Sequence, residues 1–217
     1  MKKKKQPLQV NELLDRLQAA YPDAQCALDH ENWFQLLLAV ALSAQTTDKS
    51  VNLVTPGLFQ AYPTAADLAA ADVPAVEEKI RTIGLYRNKA KNIVALAQAL
   101  VRDHDGQVPE DYDALVALPG VGRKTANVVL AEGFGHQKIA VDTHVFRVAN
   151  RLGLAQEPDV LKTELALMKV LPEDRWTQAH HCLIFHGRRC CSARKPACDQ
   201  CPVQDLCQAY AAGTVQG

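Results

Sequence analysis

Aromatic residues are scarce in this chain: Trp, Tyr and Phe make up 6% of 217 residues. No stretch sustains the apolar–polar alternation that marks a half-buried strand. Ala and Leu recur instead, and both favour helices. An excess of either charge is also missing, because 24 Lys+Arg balance 24 Asp+Glu. Global basicity therefore does not point to a polyanion, although a local patch on a neutral protein can still bind one. Long apolar runs are absent too. The run from Leu36 to Leu42 falls well short of the ~20 residues that a bilayer span needs, so no membrane partner is expected. The lysines at positions 2–5 look like the start of an export signal, but Glu12, Asp15 and Arg16 interrupt any apolar segment behind them. They read as a solvated tail, with weak phosphate contact as the alternative. A cytoplasmic protein is expected, nucleoid-associated if prokaryotic. No internal repeat and no Pro/Gly/Ser linker breaks the chain.

What remains is apolar and helical in period. Apolar residues reach 48%, enough for a sizeable core, and the length suits one large or two small domains. Val10, Leu13, Leu14, Leu17 and Tyr21 form a helical stripe that Pro22 ends. The charge-free stretch from Trp33 to Ser43 predicts a buried central helix. Thr47-Asp48 begins the next helix, which Pro56-Gly57 is expected to close. Thr64 caps a short Ala-rich helix, and Val76, Ile80 and Ile83 line another. Ala90 to Val101 carry a long amphipathic helix. Further helices are predicted over 111–118 and 123–133, then around Val145–Leu152, Leu161–Met168 and Trp176–Ile184. The fold class is all-α.

The two helices before and after Pro119-Gly120-Val121-Gly122 are joined by only those four residues. Leu115 and Leu118 on one side, and Ala126, Val129 and Leu130 on the other, let them pack together as a helix–hairpin–helix. Gly120 and Gly122 permit positive φ and close approach of another backbone. Amides of the hairpin and of the second helix's first turn, around Val121 and Arg123, sit at the positive end of a helix dipole. Such a surface suits a phosphate and reads no base sequence. The plainer reading is an ordinary pair of helices, which the Gly-x-Gly followed by Arg-Lys argues against.

Lys124 lies in the first turn of the second helix. It reads either as one more phosphate contact or as an amine nucleophile that forms a Schiff base. Keeping a free lysine neutral at pH 7 costs about 4.6 kcal/mol, given its pKa of about 10.4. The helix N-terminus, neighbouring Arg123 and desolvation all act to lower that cost. Downstream, Asp142 or Thr143 is a natural N-cap for the helix that starts near Val145. A carboxylate there also suits stabilisation of a developing positive charge. His144 reads as a packing or hydrogen-bonding residue rather than a base.

Six of the seven cysteines lie in the last 36 residues, which disfavours a disulfide framework and points to a metal site. Cys191, Cys198, Cys201 and Cys207 follow C-x6-C-x2-C-x5-C, a spacing open to zinc or to iron–sulfur. Cys190, beside Cys191, blurs the first ligand. Cys26 and Cys182 read as small buried apolar residues. Arg194 and Lys195 fall in the loop between the first two ligands and, with Arg188 and Arg189, make this region locally basic.

Taken in order, these motifs resemble the endonuclease III family of helix–hairpin–helix DNA glycosylase/AP lyases. The likeness rests on Leu118-Pro-Gly-Val-Gly-Arg-Lys124-Thr-Ala-Asn-Val-Val, on Val141-Asp142-Thr-His and on the terminal cysteines. It extends to Leu42-Ser-Ala-Gln45-Thr-Thr-Asp48, Ile83-Gly-Leu85-Tyr86 and Val108-Pro-Glu-Asp111. The resemblance implies a six-helix barrel over 27–134, with the helix–hairpin–helix at about 111–133. It implies a second helical domain made of 1–26 and 135–217, with a [4Fe–4S] cluster at 191–207 and DNA in the groove between the domains.

By the same resemblance, Lys124 is the nucleophile and Asp142 its acidic partner. Gln45 fills the gap left in the duplex and Leu85 is an intercalating wedge. Gly120, Val121, Gly122, Arg123, His144, Arg194 and Lys195 are expected at the DNA. The ligands are Cys191, Cys198, Cys201 and Cys207, without Cys190. The implied activity is removal of oxidised pyrimidines from damaged double-stranded DNA, followed by β-elimination at the abasic site. A monomer suffices, with no obligate protein partner. The related adenine glycosylases lack a lysine at position 124 and carry a further C-terminal domain. A non-catalytic iron–sulfur DNA-binding module would need neither Lys124 nor Asp142.

Overall fold

The structure, a computed structural model, describes residues 9–215. The lysines at 2–5, read above as a solvated tail or a weak phosphate contact, lie outside the described residues. Among the described residues the fold is all-α, with no strand. No helix among them is long and apolar enough to cross a membrane. The chain divides into two compact units, one of residues 27–136 and one of residues 1–26 with 137–217.

The first unit holds α2 (Trp33–Leu42), α3 (Asp48–Ala61), α4 (Ala65–Ala69), α5 (Val73–Ile80), α6 (Tyr86–His104), α7 (Tyr112–Ala117) and α8 (Arg123–Phe134). Asn32 caps α2 by accepting from the Gln35 amide. Leu36, Leu37, Leu38 and Leu42 are fully buried on this helix, as its lack of charge predicts. It packs on α3, α6 and α8. Thr64 and Asp67 form a reciprocal capping box at the start of α4.

One expectation fails here: α3 runs through Pro56. Pro56 is exposed, whereas Val54 before it and Leu58 after it are buried. An internal proline costs about 3 kcal/mol. Burying the two apolar side chains returns roughly 1.5–3 kcal/mol each, so the helix continues.

The second unit contains α1 (Val10–Ala20), α9 (Thr143–Leu152), α10 (Val160–Val170), α11 (Trp176–Arg189) and α12 (Gln208–Ala211), with short 3₁₀ turns among the cysteines. Its core joins Leu13, Leu14 and Leu17 to Val145, Val148, Leu152, Trp176 and Leu183. α10 forms as expected, but Leu161 and Leu165 are exposed, and Thr163, Glu164 and Leu167 face inward.

Candidate DNA-processing and iron–sulfur sites

In the 27–136 unit, α7 and α8 pack against each other across the hairpin. The Val121 amide donates to the Leu118 carbonyl at 3.1 Å and closes the turn. Gly120 has φ 76°, and a Cβ there would lie 3.1 Å from the Asn92 Cβ. Both facts require glycine. Gly122 differs from the expectation. Its φ is −101° and its ψ 177°, ordinary extended backbone, and no atom lies within 4 Å of a Cβ built there. Its role is to leave the start of α8 open rather than to supply positive φ. As the N-cap it brings no side chain to the first amides of the helix. Arg123 stacks on the Tyr112 ring, 5.5 Å from its centroid, and donates to the Tyr112 hydroxyl at 3.1 Å.

Lys124 is exposed in the first turn of α8. The chain itself therefore does not supply the desolvation that the sequence reading invoked. Gln45 and Leu85 are also exposed, each with left-handed backbone at φ 54° and 59°. A Cβ on Gly84 would lie 3.9 Å from the Gln45 carbonyl oxygen, so the two loops are neighbours. Lys89, buried on the first turn of α6, donates to the Thr46 hydroxyl and ties the Gln45 loop to the helix that Leu85 caps. Burial lowers the Lys89 pKa. Sequence reasoning missed Lys89, because its partner is 43 residues away.

In the other unit, Asp142 rather than Thr143 is the N-cap of α9. Its Oδ1 accepts from the His144 and Val145 amides, both at 2.8 Å. His144 is half-buried, with Nδ1 3.2 Å from Arg147 Nη2. Arg147 also donates to the carbonyls of Cys191 and Gly187. One turn further along, Arg151 donates to the carbonyls of Ser192 and Ala193 at 2.6 and 2.8 Å, and to Cys191 Sγ at 3.3 Å. These two arginines fasten the cysteine loop to the helix that Asp142 caps. Sequence reasoning missed them as well; their signal was two arginines at i, i+4 on the helix that follows Asp142.

Arg194 and Lys195 are exposed on a turn that the Ser192 hydroxyl braces. Arg189 does not join them as an available cation. It makes a double ion pair with Asp23 at 2.6 and 2.9 Å and lies over the Phe185 ring. Of the two cysteines expected to be buried, Cys182 is, whereas Cys26 is only partly covered.

Cys191, Cys198, Cys201 and Cys207 line one cavity, together with Leu152, His186 and Cys190. Four soft thiols around an apolar space fit an iron–sulfur cluster. Burial pushes the Cys201 thiol up to about 12 and the His186 imidazole down to about 4. Cys201 thus starts as the thiol beside a neutral imidazole, and metal binding displaces its proton.

Residues 38–173 match the helix–hairpin–helix superfamily of base excision DNA repair proteins. Residues 191–207 match the iron–sulfur binding domain of endonuclease III, a match that begins at Cys191 and ends at Cys207. The chain is 50% identical to the endonuclease III of Bacillus subtilis over 201 residues, 92% of each chain. It is 49% identical to that of Escherichia coli K12 over 197 residues, 91% of this chain and 93% of the other. Among solved structures it is similar to a trapped endonuclease III–DNA covalent intermediate, an estranged-adenine complex. The TM-score is 0.89 at 48% identity, covering 95% of this chain and 97% of that one.

Fold and motifs thus define a helix–hairpin–helix base excision repair protein. Within that class the chain belongs to the endonuclease III family. It is an enzyme of the DNA glycosylase/AP lyase kind, and its cofactor is a [4Fe–4S] cluster.

Proposed function

We propose that the protein removes oxidised pyrimidines from duplex DNA through a Schiff base on Lys124 and then cleaves the strand by β-elimination. The observation that carries this reading is Lys124 itself, exposed on the first turn of a helix whose glycine cap leaves its N-terminal end open. Support comes from the likeness to a protein captured as a covalent intermediate with DNA.

A base inside a duplex is out of reach, so the damaged nucleotide is extruded first, which costs less for a damaged base. Leu85 enters the stack as a wedge and Gln45 occupies the vacated space. The hairpin of Gly120, Val121 and Gly122, with Arg123, holds a phosphate of the same strand through amides other than that of Val121, which closes the turn. Arg194 and Lys195 contact phosphates elsewhere, and His144 lies at the DNA.

Lys124 Nζ gives up a proton to solvent before it attacks. The Nζ lone pair attacks C1′, and the base leaves with the electrons of the C1′–N bond and takes up the proton that Nζ sheds on bonding. The nitrogen lone pair then opens the C1′–O4′ bond to give the iminium, and O4′ keeps the bond's electrons and takes up a proton from solvent. The iminium acidifies C2′; loss of that proton expels the 3′ phosphate with its electron pair. Asp142 stabilises the cationic sugar. Cys191, Cys198, Cys201 and Cys207 would hold the cluster, which pins the loop bearing Arg194 and Lys195.

Lys124→Gln tests the assignment on a duplex carrying one oxidised thymine. Base release and strand cleavage should both disappear while binding persists. Unchanged cleavage would remove Lys124 from this role.

A further inference from the structure

Cys190 is outside the C-x6-C-x2-C-x5-C pattern and outside the family match at 191–207, yet it faces the same cavity. Among the described residues, His186, Cys190 and Cys201 bring their ligand atoms within 4.8 Å of one another. We propose that the full chain, before it receives its iron–sulfur cluster, binds one zinc ion through His186 Nε2, Cys190 Sγ and Cys201 Sγ. The zinc form and the cluster form then exclude each other, because Cys201 serves both.

The geometry suits a single ion. Tetrahedral zinc, with Zn–S of about 2.3 Å and Zn–N of about 2.0–2.1 Å, spaces its ligand atoms about 3.5–3.8 Å apart. Cys201 Sγ and His186 Nε2 are 3.8 Å apart. Drawing in Cys190 needs a shift of about 1 Å at most. His186 and Cys190 are four residues apart at the end of α11, where the Cys190 amide still donates to the His186 carbonyl, so both side chains leave the helix on one face. Cys201 arrives from the 3₁₀ turn of Cys198–Gln200, whose C-cap it is.

The imidazole is set for this task. His186 is 1% exposed, and its Nδ1 lies 2.9 Å from the Tyr21 hydroxyl. With Nδ1–H donating to that oxygen, Nε2 carries the lone pair toward the thiols. Zinc binding sends the two thiol protons to solvent and leaves a neutral complex, with the fourth position for water.

The test uses the full-length chain, expressed with iron depleted and zinc supplied. Metal analysis should find one zinc per chain, and X-ray absorption should find two sulfurs and one imidazole nitrogen around it. Cys190→Ala should lower zinc or cobalt affinity by ~10-fold or more, and Tyr21→Phe by ~10–100-fold. Chains expressed with iron should keep full brown absorbance and iron content in Cys190→Ala. Cys198→Ser should do the reverse, retaining zinc and losing the cluster. Four sulfurs around the zinc, unchanged affinity in Cys190→Ala, or loss of the cluster in that variant would overturn the proposal. So would a chain without zinc, folded or not.

Discussion

Gln45 and Leu85 hold the same left-handed backbone on neighbouring loops, at φ 54° and 59°. A left-handed leucine costs of order 1–2 kcal/mol, and such strain gathers where a side chain must be presented in one direction. Leu85 is 57% exposed, so packing does not explain its conformation. Leu85→Gly should leave stability unchanged or raise it by about 1 kcal/mol, since the strain is relieved and little burial is lost. The same variant should bind lesion-bearing duplex more weakly. Thermal melting and a binding titration check both halves; weaker stability with normal binding would remove the wedge role.

Lys89 connects this pair to the helix behind it. Lys89→Met keeps the stem's packing but drops the bond to Thr46. The fold should survive, because burying the ammonium is costly in itself and methionine keeps the apolar packing. Base excision should fall by ~10–100-fold as the Gln45 loop loses its register. Single-turnover excision beside a melting curve measures this, and equal rates would contradict it.

Asp142 caps α9 and is assigned a charge role, and two variants separate these. Asn caps as well as Asp, so Asp142→Asn should melt with the parent yet lose ~10²-fold or more in excision rate. Asp142→Ala should lose that activity and also about 0.5–2 kcal/mol of stability. If Asp142→Asn excises normally, capping is the residue's whole contribution.

The two hairpin glycines should behave differently. Gly120→Ala meets both a positive φ and the Asn92 side chain, so about 1–2 kcal/mol of stability should be lost. Gly122→Ala meets neither and should lose only the N-cap preference for glycine, about 0.5 kcal/mol, while its methyl group obstructs the phosphate and weakens binding to every sequence alike. Equal destabilisation by the two would contradict the assigned backbone roles.

Arg194 and Lys195 are exposed on a braced turn. If each neutralises one phosphate, changing both to Ala should flatten the log–log salt dependence of duplex binding by about 1.8. A loss confined to one base sequence would point to base contact instead.

Much of this was legible before any coordinates, for local reasons. A charge-free apolar stretch such as 33–43 has no way to fold except buried, and Thr64 ahead of an Ala-rich stretch announces a cap. The hairpin, the nucleophile candidate and the cysteine spacing are likewise written in short segments. What stayed hidden depends on partners far away in the chain. Arg189 looked like part of a basic patch until Asp23, 166 residues earlier, neutralised it. Arg147 and Arg151 meet carbonyls some 40 residues on. Pro56 looked like a stop because the burial that carries α3 through it belongs to the tertiary fold. Cys190 looked superfluous until His186 and Cys201 were placed beside it.

Borohydride trapping tests the central claim most directly. The protein is incubated with a duplex carrying one oxidised thymine, borohydride is added, and the products are separated on a denaturing gel. Reduction of an iminium fixes the protein to the DNA, so a covalent adduct should appear and should vanish in Lys124→Gln. No adduct on this duplex or on an abasic-site duplex, with the cluster intact, would contradict a Schiff-base lyase.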